Sequence, residues 1–170
     1  MVSIASPSGG VPVSGALGRI GLGALVSGTA ASVTSSAVLA LLAKAEGRNA
    51  VQPLNATSHW VHGEEAGAVR EVDLNHTAVG YATHHAASIF WAFLFESLQA
   101  ARRERSASRT AKNAALVAAI AAVVDYGVVP KLGWEEVLTA SSITGGYVGM
   151  AVGLMLGGMM TAVPVEGARY

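Results

Sequence analysis

The stretch VLTASSITGGYVGMAVGLMLGGMMTAVPV, residues 137–165, contains no Asp, Glu, Lys or Arg over its 29 positions. About 20 helical residues cross a bilayer core about 30 Å thick, so this stretch is long enough to span a membrane. Glycine recurs at every fourth position within it, at Gly145, Gly149, Gly153 and Gly157. On a helix these glycines form one face that a neighbouring helix can approach closely. The stretch therefore predicts a transmembrane helix that packs along its glycine face.

The sequence alone does not identify the surface that packs against this glycine face. The first interpretation is packing inside the same chain, because the first apolar stretch has small residues at the same spacing: Ala24, Gly28, Ser32, Ser36 and Ala40. The alternative is contact with a second copy of the chain or with another membrane protein. The predicted partners are therefore the lipid bilayer, and either a homo-oligomer or a larger membrane assembly.

Three further stretches predict further spans. Residues 20–43 and 74–95 contain no charged side chain, and residues 113–130 contain one, Asp125. With the glycine-rich stretch they predict an all-α integral membrane bundle of about four transmembrane helices, forming a single membrane domain over residues 1–170. The predicted spans cover residues 18–43, 76–99, 111–130 and 139–163. The third is marginal in length, so three spans and a peripheral helix remain an alternative.

Composition excludes several classes of protein. Hydrophobic residues make up 52% of the chain and charged residues 13%, about half the charged share of typical soluble domains, and the mean hydropathy is +0.46. There is no cysteine, which excludes a disulfide scaffold and a cysteine-ligated metal centre. The formal net charge is zero, which argues against a nucleic-acid partner. No nucleophile elbow, phosphate loop or dinucleotide motif is found, so we do not expect an enzyme.

Lys and Arg in the connections predict the orientation. The connection of residues 100–112 is strongly basic, and Arg19 and Arg169 lie on the same side if there are four spans. Because cytoplasmic loops carry the excess of positive charge, this side is predicted to be cytoplasmic. The loop of residues 44–75 then faces outward. The expected location is the bacterial inner (plasma) membrane with both termini cytoplasmic. The basic connection contains Arg102, Arg103, Arg105, Arg109 and Lys112.

The second predicted span has one polar side. At 100° per residue, its polar side chains fall within a sector of about 120°, and the aromatic residues Phe90 and Phe93 lie opposite. We expect the polar side to face the bundle, because ionisable residues at membrane depth are costly and typically mark function. The polar side chains are Thr77, Tyr81, His84, His85, Ser88 and Glu96.

Asp125 is the acid of the third span. The first interpretation pairs it with a histidine of the second span or with Lys131, and the alternative makes it a proton carrier or metal ligand. Trp134, beyond this span, suits the membrane interface.

All five histidines fall between residues 59 and 85. Imidazole binds transition metals and haem, so the cluster is a candidate metal or haem site. The alternative is that these side chains make structural hydrogen bonds between helices. The adjacent pair His84 and His85 diverges by 100° on a helix, so the two would rarely reach one ion. The candidate ligands are His59, His62, His76, His84 and His85.

Several short motifs carry a resemblance to a known group of proteins. They are PLNATSHW at residues 53–60, DLNHT at 73–77, GYATHHAASIFWA at 80–92, Asp125-Tyr126, and Val129-Pro130-Lys131. Across about residues 50–135 the chain resembles a family of small uncharacterised bacterial four-helix inner-membrane proteins, some of which are labelled symporter-like. The resemblance implies a common architecture and supplies no activity.

Three functions follow as predictions. The first is an accessory or structural component of a membrane assembly, indicated by the glycine face. The second is a metal- or haem-binding membrane protein, indicated by the histidines. The third is an oligomeric proton-linked channel or transporter, indicated by the polar side of the second span.

Overall fold

Four long helices account for most of the residues that the computed structural model describes, which are 13–101, 106–129 and 131–162. In these ranges the chain is all-α, without strands. The helices are α1 (Val13–Ala45), α4 (Val79–Ala100), α5 (Ala107–Gly127) and α6 (Ala140–Met160), with the short α2 (Gln52–Thr57) and α3 (His59–His62) between α1 and α4. Arg102, Arg103, Arg105, Pro130 and Arg169 lie outside the described residues.

Three of the long helices, α1, α5 and α6, are long and apolar enough to cross a membrane. The α5 helix begins earlier than the predicted third span, at Ala107, where the Ser106 hydroxyl accepts the main-chain N–H of Arg109. Its 21 residues measure about 31 Å, which is long enough to cross a hydrocarbon core about 30 Å thick. The 22 residues of α4 measure about 33 Å, but this helix carries more polar side chains.

Neighbouring helices of the bundle run antiparallel. Ser35 of α1 meets His84 of α4, and Gly23 of α1 lies beside Glu96, near the other end of α4. The same reversal relates α4 to α5, α5 to α6 and α6 to α1. The outcome is an up-down-up-down bundle in which α1 packs most extensively against α6 and next against α4.

The glycine face of α6 lies against α1. A Cβ added at Gly153 would collide with the Cα of Ala31, and one at Gly157 with the Cα of Ser27. The hydroxyl of Thr34 also donates to the main-chain oxygen of Gly149 at 2.8 Å. The helix therefore uses this face within the same chain, in agreement with the first interpretation. Gly145 completes the face, against Leu42.

A second face of α1 receives α4. A Cβ on Gly28 would lie 2.7 Å from the Cα of Ile89, and one on Gly23 would lie 2.9 Å from the carboxyl carbon of Glu96. Ala24 and Ser32 on the same side of α1 are buried. Small residues on α1 thus allow close contact with two helices at once.

The segment predicted as an outward loop is folded. Residues 46–78 and 131–139 together form a cap over one end of the bundle, with α2, α3, and short helices at Glu64–Ala68, Leu74–Ala78 and Trp134–Glu136. The fully buried Asn55 donates to the main-chain oxygens of Val69 (2.9 Å) and Glu71 (3.1 Å) and accepts from the hydroxyl of Thr77 (2.7 Å). The Asn55 side chain thus fixes the segment of residues 69–77, which leads into α4.

Gly80 lets the cap approach α4 closely. A Cβ at this position would collide with the main-chain oxygen of Leu54 in α2. Glu46 follows α1 and contacts the start of α6, because its carboxylate accepts from the hydroxyls of Ser142 and Thr139 and from the Thr139 main-chain N–H. The bonds from Ser142 and then Thr139 hold the pKa of Glu46 below its usual value. The ends of α1 and α6 therefore meet at this carboxylate.

Gly153→Ala is expected to lower the free energy of unfolding by about 1–3 kcal/mol, because the added methyl forces α1 and α6 apart. Gly21→Ala is the matched control, since a Cβ there meets open space. This control should be neutral or stabilising by about 0.5–1 kcal/mol. The measurement is denaturant unfolding in detergent micelles, and equal stability of the two variants would contradict the packing described.

Asn55→Ala is expected to cost about 2–4 kcal/mol, at about 1 kcal/mol for each lost hydrogen bond and more for the carbonyls left unpaired. The loss should be local, so amide hydrogen exchange of residues 69–77 should accelerate first. Asn75→Ala, at an exposed position of the same cap, is the control and should leave exchange unchanged. Unaltered exchange in the Asn55 variant would show that the cap is held by other contacts.

Candidate functional site

A partly open cavity of about 40 Å³ lies between the long helices, at the end covered by the cap. All four long helices contribute to it, and Trp134 of the cap lies against it. Its volume is on the scale of one or a few water molecules, far below that of a pocket for an organic ligand. The polar side chains that line it are Ser35, His84, Ser88, Asp125 and Tyr147.

His84 is the ionisable group of α4 that faces this cavity. It is 8% exposed, and its Nε2 lies 2.9 Å from the Ser35 hydroxyl of α1. Because a hydroxyl can both donate and accept, this bond is compatible with either tautomer of the ring. The ring also packs against Trp134, with centroids 5.7 Å apart. His84 therefore contacts the Ser35 hydroxyl in the bundle and the Trp134 ring of the cap.

Asp125 is paired with Tyr147, which corrects the predicted pairing with a histidine or with Lys131. The Tyr147 hydroxyl donates to Oδ2 of Asp125 at 2.8 Å. Because α5 and α6 are antiparallel, the end of α5 lies beside the start of α6. Lys131 instead donates to Glu64 in the cap, and this contact raises the pKa of Lys131.

Trp134, which the sequence assigns to the membrane interface, is buried inside the protein. It is 7% exposed, and its indole N–H donates to the hydroxyl of Thr57 at 2.9 Å. Its ring lies 6.0 Å from that of Tyr147 and also contacts His84. The exposed tryptophan of the cap is Trp60, which is 55% exposed. Trp134 thus links the two segments of the cap and covers the two rings below it.

The two sides of α4 differ as the polar pattern predicts. His84, Ser88 and Glu96 are buried, whereas Phe90 and Phe93 are exposed. Tyr81 and His85 are half-buried and stack on each other at 5.7 Å. The adjacent histidines therefore diverge, as expected.

The remaining histidines lie in the cap. Nδ1 of His59 lies 3.0 Å from the main-chain oxygen of Ala56. The rings of His62 and His76 are 4.7 Å apart, and Nδ1 of His76 lies 2.8 Å from Asp73. The main-chain N–H of His76, and then its side chain, hold the pKa of Asp73 below its usual value.

The five histidines are thus divided among separate environments. Within residues 13–101, 106–129 and 131–162, no group of three or more His, Cys, Asp or Glu side chains is arranged to hold a metal ion. The structure therefore does not bring His59, His62, His76, His84 and His85 together as one ligand set. Each has instead a contact with a neighbouring ring, hydroxyl, carboxylate or carbonyl.

A second polar cluster surrounds Glu96 near the other end of α4. Glu96 is 1% exposed and accepts from the hydroxyls of Ser27 and Thr161, in addition to other interactions. One turn further, Gln99 donates to Thr110 of α5 at 2.9 Å and accepts from Asn113 of the same helix. The bundle therefore has ionisable interior groups in both halves.

Sequence reasoning missed two polar residues that line the cavity, Ser35 and Tyr147, and it missed Thr57, which accepts the hydrogen bond from Trp134. One signal was available, since a lone tyrosine in an otherwise apolar stretch requires a partner for its hydroxyl when buried. Ser35 and Thr57 carry no comparable signal, because serine and threonine hydroxyls in helices usually bond to their own main chain.

No protein-family model, curated protein or solved structure matches this chain. The resemblance to small bacterial inner-membrane proteins therefore stays a prediction. Three of the motif residues that carry it lie at contacts described above. Asn55 holds the cap together, whereas Gly80 and His84 of α4 contact Leu54 and Trp134 of the cap.

Proposed function

We propose that this chain is a multi-pass inner-membrane protein whose four long helices cross the bilayer and whose interior cavity binds and passes protons. The observation that carries the proposal is the water-sized cavity bounded by His84, Asp125 and Tyr147, which come from three different helices. Ionisable side chains are costly at membrane depth and typically mark function. The imidazole ring of histidine has one nitrogen that can donate a proton and one that can accept a proton.

The hydrogen bond between Thr57 and Trp134 supports the fourth crossing. These residues belong to different connections, one between α1 and α4 and the other between α5 and α6. The contact requires both connections to lie on one side of the membrane. The chain between them consists of α4 and α5, so a crossing by α5 requires a return crossing by α4. The buried polar face of α4 is consistent with a helix whose polar groups are shielded by its neighbours.

The size of the cavity favours a proton over a solute. A volume of about 40 Å³ accommodates water but no organic molecule. Water between His84 and Asp125 would supply the hydrogen bonds through which protons move. Because the lining residues all come from one chain, this site requires no second copy, unlike the oligomeric channel expected from the sequence.

Glu96 extends the proposal toward the opposite membrane surface. It lies 12 residues beyond His84 on α4, about 18 Å along the helix axis. Ser88 lies one turn from His84 in this direction and is buried. We therefore propose Glu96 as a second proton-binding group, in the opposite half of the bundle from His84 and Asp125.

The other predicted functions remain predictions with less support. The glycine face that indicated an accessory component is occupied by α1, so a partner protein would have to bind elsewhere. The histidines that indicated a metal or haem centre are distributed over separate environments.

The four-crossing arrangement is tested by single cysteines, since the natural chain has none. Glu65→Cys in the cap and Ser108→Cys at the start of α5 should react with a membrane-impermeant maleimide from opposite sides. With both termini cytoplasmic, the cap cysteine reacts in intact cells, and the other reacts only after the membrane is opened. Reaction of both from the same side would contradict a crossing by α4.

Proton transfer is tested in proteoliposomes that contain a pH-sensitive dye, under a potassium diffusion potential. We expect proton flux above that of empty vesicles, and a decrease of about tenfold or more for His84→Gln and for Asp125→Asn, because each removes a proton acceptor. His76→Gln is the matched control, since that histidine lies in the cap away from the cavity. Flux equal to that of empty vesicles, or equal in all variants, would contradict the proposal.

A further inference from the structure

A second cleft, of about 300 Å³, lies on the surface of the cap and shares no lining residue with the interior cavity. Arg48, Gln52 and Arg70 line it. Glu64 and Glu136 complete the charged boundary. The cleft is at the small end of the range for small-molecule sites, so it suits a small polar group.

One lysine, Lys131, contacts both acidic side chains of this cleft. Lys131 donates to Glu64, and its Nζ lies 3.8 Å from Glu136. This bond from Lys131 holds the pKa of Glu64 below its usual value, so the carboxylate is charged and paired at neutral pH.

The two arginines are not compensated in the same way. In the part of the chain that the structure describes, neither Arg48 nor Arg70 forms an ion pair. Arg48 lowers the pKa of Glu46 through space, but the Glu46 carboxylate is hydrogen-bonded to Ser142 and Thr139. Two guanidinium groups therefore border one cleft with their charge available to a ligand.

If α1 and α6 cross the bilayer as proposed above, the cleft lies close to the membrane surface. Arg48 lies three residues beyond the end of α1, and Glu136 lies four residues before the start of α6. Three residues span at most about 10 Å, and the headgroup layer on each side of the hydrocarbon core is about 5–8 Å thick. Arg48 is therefore within reach of the layer that contains the phosphates of the lipids.

We propose that this cleft binds a phosphate group through Arg48 and Arg70. Guanidinium groups recognise phosphate oxygens by paired, charge-assisted hydrogen bonds, which a lysine cannot reproduce. A phosphodiester in a phospholipid headgroup and a soluble phosphate ester share this chemistry. In the lipid case the headgroup occupies the cleft and the acyl chains stay in the bilayer beside α1 and α6.

The test uses the full-length protein in neutral detergent micelles, with short-chain phosphatidylglycerol and glycerol 3-phosphate as probes. Binding is measured by native mass spectrometry over a range of probe concentrations. The double variant Arg48→Gln, Arg70→Gln should weaken binding about tenfold or more, since each charge-assisted contact is worth up to such a factor. Lys44→Gln removes a positive charge from the same end of α1 without touching the cleft, and should change binding less than about twofold.

The two probes distinguish the sources of the phosphate. Saturable binding of phosphatidylglycerol alone assigns the cleft to a lipid headgroup, and comparable binding of glycerol 3-phosphate assigns it to a soluble ester. Failure of both probes to bind would overturn the proposal. So would an equal loss in Lys44→Gln, which would indicate unspecific attraction to the positive charge at this end of the bundle. Neither result depends on proton flux.

Discussion

The close approach of α1 and α6 along the glycine face is the contact on which the rest of the bundle depends. Apolar side chains gain little by leaving lipid for each other, so helices in a membrane associate through shape and hydrogen bonds. Ala31 and Ser27 reach the backbone of α6 only because Gly153 and Gly157 lack side chains. With α6 on one side and α4 on another, α1 holds both sides of the cavity in place.

The features that sequence could predict are those set by local periodicity. The glycine spacing identified the packing face of α6, and the polar side of α4 identified His84, Ser88 and Glu96 as interior residues. Both patterns depend only on the 3.6-residue repeat of one helix. The apolar stretches likewise predicted α1, α5 and α6, because length and hydropathy are properties of each segment alone.

The same reasoning could not predict contacts between segments that are distant in the sequence. Asp125 and Tyr147 are 22 residues apart, and Thr57 and Trp134 are 77 apart. Each pair meets only because antiparallel helices return the chain to the same level. The cap was missed for a related reason, since its helices are short and polar and Asn55 satisfies main-chain groups 14 and 16 residues away. No periodic pattern marks such a side chain.

Small residues provide the close contacts of α1 with α4 and α6. The ionisable groups add hydrogen bonds between helices: the buried His84 contacts Ser35, the buried Glu96 accepts from Ser27, and the half-buried Asp125 accepts from Tyr147. Ionisable groups at such positions are costly and typically mark function, which is the basis of the proposed role. Trp134 adds a constraint on that role, because it covers His84 and Tyr147 and is held by Thr57 of the cap. Under the proposed function, entry of protons from this side is therefore controlled by the cap, while the helices provide the fixed acceptors below it.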